Sequence, residues 1–206
     1  NEEGVALPFV PIDPPTIRMQ FAVNDGPFAG KDGSLLTARH IRERLEKEIR
    51  TNISLRVSPT SSPTIFDVEA RGEMQISVLV EQMRREGFEL SVARPRVLYK
   101  TDPETGQQLE PMEEVIVDVD EEYAGAVVEK LGERRGEMTD MRPSGGGKTR
   151  IAFQAPSRSL IGYIGEFLTD TRGTGILNRV FSGYGPYKGP IPGRRVGVLV
   201  SMDTGK

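Results

Sequence analysis

Residues 16–24 read TIRMQFAVN and residues 38–49 read ARHIRERLEKEI, and the change of period between them decides the fold class. In the first stretch apolar residues alternate with polar ones, which is typical of a half-buried strand. In the second, apolar residues recur at helical spacing from Ala38 onward, and Thr37 stands where a helix N-cap is expected. A strand followed by an amphipathic helix predicts a domain that mixes α and β structure.

The elements that follow complete one β-α-β-β-α-β unit. Alternating apolar residues at 53–57 and 65–70 predict two more strands, and a second amphipathic helix ends at Gly87, where a glycine can terminate it. Residues 88–99 predict a fourth strand. This order of elements is the ferredoxin-like plan, and we assign it to residues 16–100.

The same order of elements starts again at residue 111. Val115, Val117 and Val119 predict a strand, and the remaining elements of a second unit follow up to residue 185. The predicted fold class is therefore α+β, with two tandem ferredoxin-like modules. Residues 1–15 are predicted to be an extended lead-in from a preceding domain, and residues 101–110 a linker that contains a hairpin-like loop or linker at 102–106. Residues 186–206 are predicted to be a second linker with the first strand of a truncated β-rich C-terminal domain.

The composition is that of an ordinary folded protein, but the charge is unevenly distributed. The 206 residues carry a net charge of −3 and no cysteine, which excludes disulfide bonds and thiolate metal sites and fits a reducing, cytoplasmic setting. No apolar run is long enough to cross a membrane. Residues 135–206 carry a net charge of +6 and residues 1–134 a net charge of −9. This asymmetry indicates a polyanion-facing end, and the alternative is that the charges scatter by chance.

Basic and aromatic side chains cluster on the predicted turns and helix ends of the second module. Arginine and tyrosine suit a folded RNA, because phosphates accept ion pairs and unpaired bases stack on flat side chains. The alternative is a solvated basic face without a partner. The candidate RNA and ribosome contacts are Arg134, Arg135, Arg142, Lys148, Arg150, Arg158, Arg172, Arg179, Tyr187 and Lys188.

The string SGGGKT at residues 144–149 resembles the end of a phosphate-binding loop. That motif requires an earlier glycine, where this chain has Arg142, and a helix directly after the lysine. A strand-like segment follows Lys148 instead, so the string is predicted to be a hairpin turn. Nucleotide hydrolysis through Lys148 is the minor alternative, and no catalytic, metal-binding or cofactor-binding residue is assigned.

Nine strings spread along the chain form a specific combination. They are NDGPFAG at 24–30, HIRERL at 40–45, ARGE at 70–73, MRREGFEL at 83–90, LGERRGEM at 131–138, LIG at 160–162, EFLT at 166–169, GTG at 173–175 and YGPYKG at 184–189. Together they resemble the TypA/BipA family of translational GTPases. The first module resembles the family's domain III, the second resembles its domain V, and YGPYKG resembles the start of its C-terminal domain. Elongation factor G and LepA share the domain plan without this last string.

Two positions depart from the family's pattern. Met74-Gln75-Ile76 stands where the family usually has Leu-His-Leu, so any role of that histidine is absent here. Ser159 stands where the family usually has a glycine, which adds a side chain near a predicted helix start.

The resemblance implies a GTPase that binds the ribosome in the elongation-factor site and acts in ribosome assembly, translation and stress adaptation. Its GTP and Mg²⁺ would lie in an N-terminal domain outside these residues, so this chain alone is expected to be no enzyme and to hold no cofactor. Domains III and V would relay the nucleotide state and contact ribosomal RNA, and the C-terminal domain would reach toward the transfer RNA. The resemblance thus implies a cytoplasmic monomer with no membrane partner.

A different class of function is open on the fold plan alone. Tandem ferredoxin-like modules can also regulate other proteins by binding a small metabolite between their halves, because one fold hosts many functions. Saturable binding of an amino acid or a nucleotide would favour this hypothesis over ribosome contact.

Overall fold

The computed structural model describes residues 13–193, which form two compact units. Unit 1 comprises residues 13–111 with Gly183–Gly185, and unit 2 comprises Met112–Ser182 with residues 186–193. Each unit has one antiparallel sheet with helices packed against it, so the predicted α+β class with two ferredoxin-like modules is confirmed. The predicted strand of a further domain lies outside the described residues. None of the helices within residues 13–193 is long and apolar enough to cross a bilayer.

The elements of unit 1 follow the predicted order. The strand order is β2-β3-β1-β4, which places the first strand between the third and the fourth, as the ferredoxin-like plan requires. The elements are β1 Ile17–Val23, α1 Ala38–Thr51, β2 Arg56–Pro59, β3 Ile65–Ala70, α2 Glu73–Arg85, β4 Leu90–Val92 and β5 Arg96–Val97.

Local sequence signals explain where the helices of unit 1 begin and end. The Thr37 hydroxyl accepts a hydrogen bond of 3.3 Å from the His40 N–H and so caps α1. After α2 the chain enters the left-handed region at Gly87, which has φ 90°, and the Phe88 N–H donates back to the Met83 carbonyl at 3.0 Å. Between these ends the apolar stripes of both helices cover the buried residues of β1 and β3.

Two strands of unit 1 are shorter than the apolar pattern predicts. The pattern places Ile53 in a strand, but this residue lies in a turn and is 73% exposed, because the Gln75 amide donates to Asn52 and Ser54 and holds the chain there. The predicted strand at 88–99 is divided into β4 and β5. Pro95 lies between them, and a proline cannot donate to the hydrogen-bond ladder.

Unit 2 repeats the plan with the strand order β10-β7-β9-β8. A short strand, β6 Lys100–Thr101, pairs with Gln108 and Leu109 at the start of β7, so the segment predicted as a hairpin-like loop or linker forms a hairpin. The elements are β7 Gln108–Asp120, α3 Glu121–Glu133, β8 Glu137–Gly145, β9 Lys148–Pro156, α4 Ser157–Leu160, α5 Tyr163–Asp170 and β10 Ile176–Pro186.

The core of unit 2 lies between its helices and one face of its sheet. Alternate residues of β7 and β9, including Val117 and Phe153, are fully buried together with Phe167 of α5. The helix predicted at 157–168 is interrupted, because Gly162 has φ 74° and separates α4 from α5. Successive residues of a strand point to opposite faces, so the polar residues that alternate with the buried residues of β7 and β9 lie on the other face of the sheet.

Candidate functional site

The ten candidate residues all belong to unit 2, and the structure places them at two opposite ends of its sheet. At one end β7 stops, β9 starts, and the Glu121 N–H donates to the Gly147 carbonyl at 3.1 Å. This turn end holds Arg142, Lys148, Arg150 and Arg172. At the other end residues 186–193, here termed the connector, contact the end of α3 and the start of β8. This connector end holds Arg134, Arg135, Arg158, Arg179, Tyr187 and Lys188.

The basic residues on the strands of the turn end lie beside carboxylates. Arg150 donates two hydrogen bonds of 2.8 Å to Asp118, its cross-strand neighbour. This bidentate bond is the main reason that the pKa of the Asp118 carboxyl is lowered and that of Arg150 raised. The Lys148 ammonium is 3.6 Å from an Asp120 oxygen and donates to the Thr174 carbonyl at 3.5 Å. These charges are partly neutralised within the unit.

The glycine string at this end is a hairpin turn. Gly146 and Gly147 have φ 62° and 76°, the left-handed values of a two-residue type I′ turn, and β9 follows directly. A phosphate loop needs a helix after its lysine, and here a strand starts at Lys148. The residues present therefore do not fit GTP phosphates. Residues 13–193 also contain no cluster of three or more His, Asp or Glu side chains that could hold a metal ion.

Four candidates hold the connector against unit 2. Arg158 donates to the Gly189 carbonyl at 2.6 Å, and its guanidinium carbon lies 4.6 Å from the centre of the Tyr187 ring. Lys188 donates to Glu137 at 2.6 Å. Arg135 adds a hydrogen bond of 3.2 Å to the Pro190 carbonyl. These side chains thus fix the first residues that follow β10.

Arg134 joins the end of α3 to the segment that precedes α5. It donates to the Ser159 carbonyl at 3.0 Å and to Glu166 at 2.9 Å, and the Ser159 hydroxyl donates back to the Arg134 carbonyl. The buried Ser159 side chain therefore has a structural partner, which the sequence did not indicate. The guanidinium carbon also lies 5.1 Å from the ring centre of Tyr163, where burial raises the tyrosine pKa to about 12.

Arg179 lies on β10, with its Nε atom 3.7 Å from a carboxylate oxygen of Glu113. Of the nine basic candidates, Arg135, Arg142 and Arg172 are the three that are exposed. The nearest carboxylate to Arg142 is that of Asp140, at 3.8 Å. Among the residues that the structure describes, the Arg172 guanidinium has no hydrogen-bond or ion-pair partner.

Two of the exposed arginines have an unusual backbone conformation. Arg135 and Arg172 have φ 70° and 49°, and each follows the last turn of a helix. In both places the next residue is a glycine that donates back into the helix, which is the Schellman pattern, and glycine is the preferred residue at the left-handed position. In unit 1 the same position is occupied by Gly87. An Arg-Gly pair directly after an amphipathic helix is the sequence signal that could have predicted an arginine in this left-handed position.

Comparisons with known proteins agree with this architecture. A family model described as "Elongation factor G C-terminus" matches residues 107–195. The large ribosomal subunit assembly factor BipA of Bacillus subtilis is 52% identical over 201 residues, which are 97% of this chain and 32% of the relative. The factors of the same name from Haemophilus influenzae and Synechocystis are 50% and 46% identical over 98% and 99% of this chain.

This chain belongs to the BipA family. It spans about a third of the length of the BipA relatives that it matches. A crystal structure from Thermus thermophilus has a TM-score of 0.52 over 88% of this chain and 42% of that chain, and its 14% identity shows a shared fold alone. The BipA match runs through both units, whereas the elongation factor G model starts at residue 107 and covers unit 2 and the second strand of the hairpin before it.

Proposed function

We propose that this chain is a ribosome-contacting part of a BipA-family GTPase that acts in large-subunit assembly, in translation and in stress adaptation. The observation that carries the proposal is the 52% identity over 97% of the chain to the Bacillus subtilis large ribosomal subunit assembly factor BipA. GTP and Mg²⁺ would bind in the part of the parent protein that this chain does not span. The chain itself would work as a cytoplasmic, monomeric arm of that enzyme.

Unit 2 is the part that we propose contacts ribosomal RNA in the elongation-factor site. Arg135, Arg142 and Arg172 support this proposal because they are exposed, and solvated guanidinium groups can replace the counterions of phosphates. Tyr187 is exposed, and its ring lies beside the Arg158 guanidinium; such an aromatic–arginine pair suits contact with an unpaired base. A transfer RNA would be a further partner, reached through the domain that follows the connector.

The proposal predicts that reversing three exposed charges weakens ribosome binding. The triple variant Arg135→Glu, Arg142→Glu, Arg172→Glu should bind purified large ribosomal subunits at least about tenfold more weakly at about 0.1 M salt, because three phosphate contacts become repulsive. Cosedimentation measures the affinity. The control triple Arg50→Glu, Arg56→Glu, Arg96→Glu makes the same change of charge at exposed positions of unit 1 and should bind as the unchanged chain does.

The outcomes separate the parts of the proposal. Equal weakening by both triples would mean that net charge alone drives binding, and no effect of the first triple would remove unit 2 as the RNA face. Failure of the unchanged chain to bind the subunit would contradict the ribosomal function itself. GTP hydrolysis by the purified chain would contradict the assignment of the GTPase site to the rest of the parent.

A further inference from the structure

The loop at residues 24–33 of unit 1 contains no helix or strand, yet its backbone is held by a single carboxylate. Glu89 follows α2 and is only 8% exposed. Its two oxygens accept hydrogen bonds of 2.6–3.1 Å from three loop N–H groups and one side-chain amide, those of Gly30, Asp32, Gly33 and Asn24. These donors, the Gly30 N–H first, lower the pKa of the Glu89 carboxyl, so the group is ionised at neutral pH.

The remainder of the loop is also tied down. The Gly26 N–H donates to the Asn24 side chain at 3.1 Å, and the Ala29 and Lys31 N–H groups donate to carbonyls within the loop at 3.0 and 3.3 Å. At Gly33 a Cβ atom would lie 2.7 Å from the Gly87 carbonyl oxygen, so the backbone is pressed against the end of α2. The loop is therefore held by hydrogen bonds along its length although it has no regular structure.

This fixed loop presents an aromatic ring to solvent. Phe28 is 68% exposed, and the Lys31 ammonium lies 4.5 Å from the centre of its ring. A large apolar side chain on a loop that has already lost its conformational freedom is a favourable binding group, since docking costs little further ordering. Aromatic side chains of this kind supply much of the binding energy of protein interfaces.

We propose that the Phe28 loop is a docking element whose ring inserts into an apolar pocket of a protein component of the large ribosomal subunit. The choice of the subunit rests on the proposed function above. The choice of protein over RNA rests on charge: Asp25 and Asp32 outnumber Lys31 in the loop, and the ionised Glu89 lies behind them. Such a loop repels phosphates and fits a pocket bordered by lysine or arginine side chains.

The first test removes the ring. Phe28→Ala should weaken binding of this chain to purified large subunits at least about tenfold, because the anchor of the contact is lost. Phe28→Leu keeps a large apolar side chain and should weaken binding less than Phe28→Ala does. Met74→Ala is the matched control, since Met74 is an apolar side chain of unit 1 that is 72% exposed on α2, and it should have no effect.

The second test identifies the partner by replacing Phe28 with p-benzoylphenylalanine, which keeps an aromatic ring and cross-links on illumination. Attachment to a protein of the purified large subunit is expected. Attachment to ribosomal RNA alone, or none at all by a chain that still binds, would overturn the proposal. If the unchanged chain binds and Phe28→Ala binds equally well, only this inference fails; if neither binds, the proposed ribosomal function fails with it.

A third test concerns the role of Glu89 as a positioning residue. Glu89→Gln leaves Phe28 in place. It replaces a carboxylate, whose two oxygens both accept hydrogen bonds, by an amide whose NH₂ group would face the N–H donors of the loop. Amide hydrogen exchange at Gly30, Asp32 and Gly33 should become faster, and subunit binding should weaken. Faster exchange with unchanged binding would show that a fixed loop is not required for docking.

Discussion

Gly175 and Gly125 of unit 2 have different surroundings, so substitution by alanine is predicted to have opposite effects on stability at the two positions. At Gly175 a Cβ atom would lie 2.5 Å from the Phe167 ring and 2.8 Å from the Thr171 hydroxyl, and both of these side chains are fully buried. Gly175→Ala should therefore lower the free energy of unfolding of unit 2 by about 1–3 kcal/mol through overpacking. Urea denaturation, followed by amide signals of unit 2, measures the change.

The matched substitution is Gly125→Ala. Gly125 lies in the exposed part of α3 with no atom within 4 Å of an added Cβ, so alanine should stabilise the helix by about 0.5–1 kcal/mol. A loss of stability at Gly125, or none at Gly175, would contradict the packing described for this unit.

The alternating apolar residues were sufficient to predict the buried side chains of β7, but they could not predict which arginines lie beside a carboxylate. Period 2 placed Val115, Val117 and Val119 on the inner face of a strand, and all three are fully buried. Whether Arg150 lies opposite a carboxylate depends on the register between β7 and β9, which pairs it with Asp118. Strand register is set by the tertiary structure, so the sequence alone could not show which of the ten candidates lie beside a carboxylate.

At the scale of elements, the ends of strands and helices were the least predictable feature. The interruption at Pro95 and the left-handed Gly162 divide elements whose apolar pattern is continuous. The pattern reports which residues face the core, whereas backbone dihedrals and missing donors decide where an element stops. The order of elements was predictable because each change of period is local, and the strand order followed from the ferredoxin-like plan.

The two sheets contain the same stabilising device with the charges exchanged. In unit 1 Arg18 of β1 donates to Glu69 of β3 at 2.6 and 3.0 Å, and in unit 2 Asp118 of β7 accepts from Arg150 of β9 at 2.8 Å. In each unit these strands are the first and third of the plan, and the pair is in direct cross-strand register. An arginine–carboxylate pair thus joins the same two strands of the plan in both units although the sequences differ.

The connector is held to unit 2 in part by an ion pair, and removing this pair provides a test. Lys188 and Glu137 form an ion pair of 2.6 Å, so Glu137→Lys places two ammonium groups together and should release the connector locally. Because a largely exposed pair contributes about 0.2–1 kcal/mol, amide exchange at Lys188 and Gly189 should become faster by up to about fivefold. Hydrogen exchange followed by mass spectrometry measures this change.

A charge exchange provides the control for the connector. The double variant Glu137→Lys, Lys188→Glu restores an opposite-charge pair and should restore slow exchange, whereas Glu133→Lys adds the same charge at an exposed position of α3 and should leave the connector unaffected. If the double variant exchanges as fast as the single one, the pair does not hold the connector.

At the scale of the whole molecule, the uneven charge of the sequence overstates the positive charge that unit 2 offers to a partner. Within the described residues 135–193, Lys148, Arg150, Arg179 and Lys188 each lie beside a carboxylate. The exposed cations among the candidates are Arg135, Arg142 and Arg172. An RNA that binds unit 2 would therefore release counterions from only a few phosphates, and the salt dependence of binding measures how many.

Binding of this chain to the large ribosomal subunit should accordingly weaken only moderately with salt. If three cations contact phosphates, the logarithm of the association constant should fall against the logarithm of the salt concentration with a slope of about −2 to −3, whereas all nine basic candidates would give about −8. Affinities measured by cosedimentation between about 50 and 200 mM salt, a span of about fourfold, would fall about thirtyfold in the first case. The triple variant at Arg135, Arg142 and Arg172 should lose most of the slope, and the unit 1 triple should keep it. A slope of about −8 in the unchanged chain would mean that ion pairs such as that of Arg150 with Asp118 break when the subunit binds.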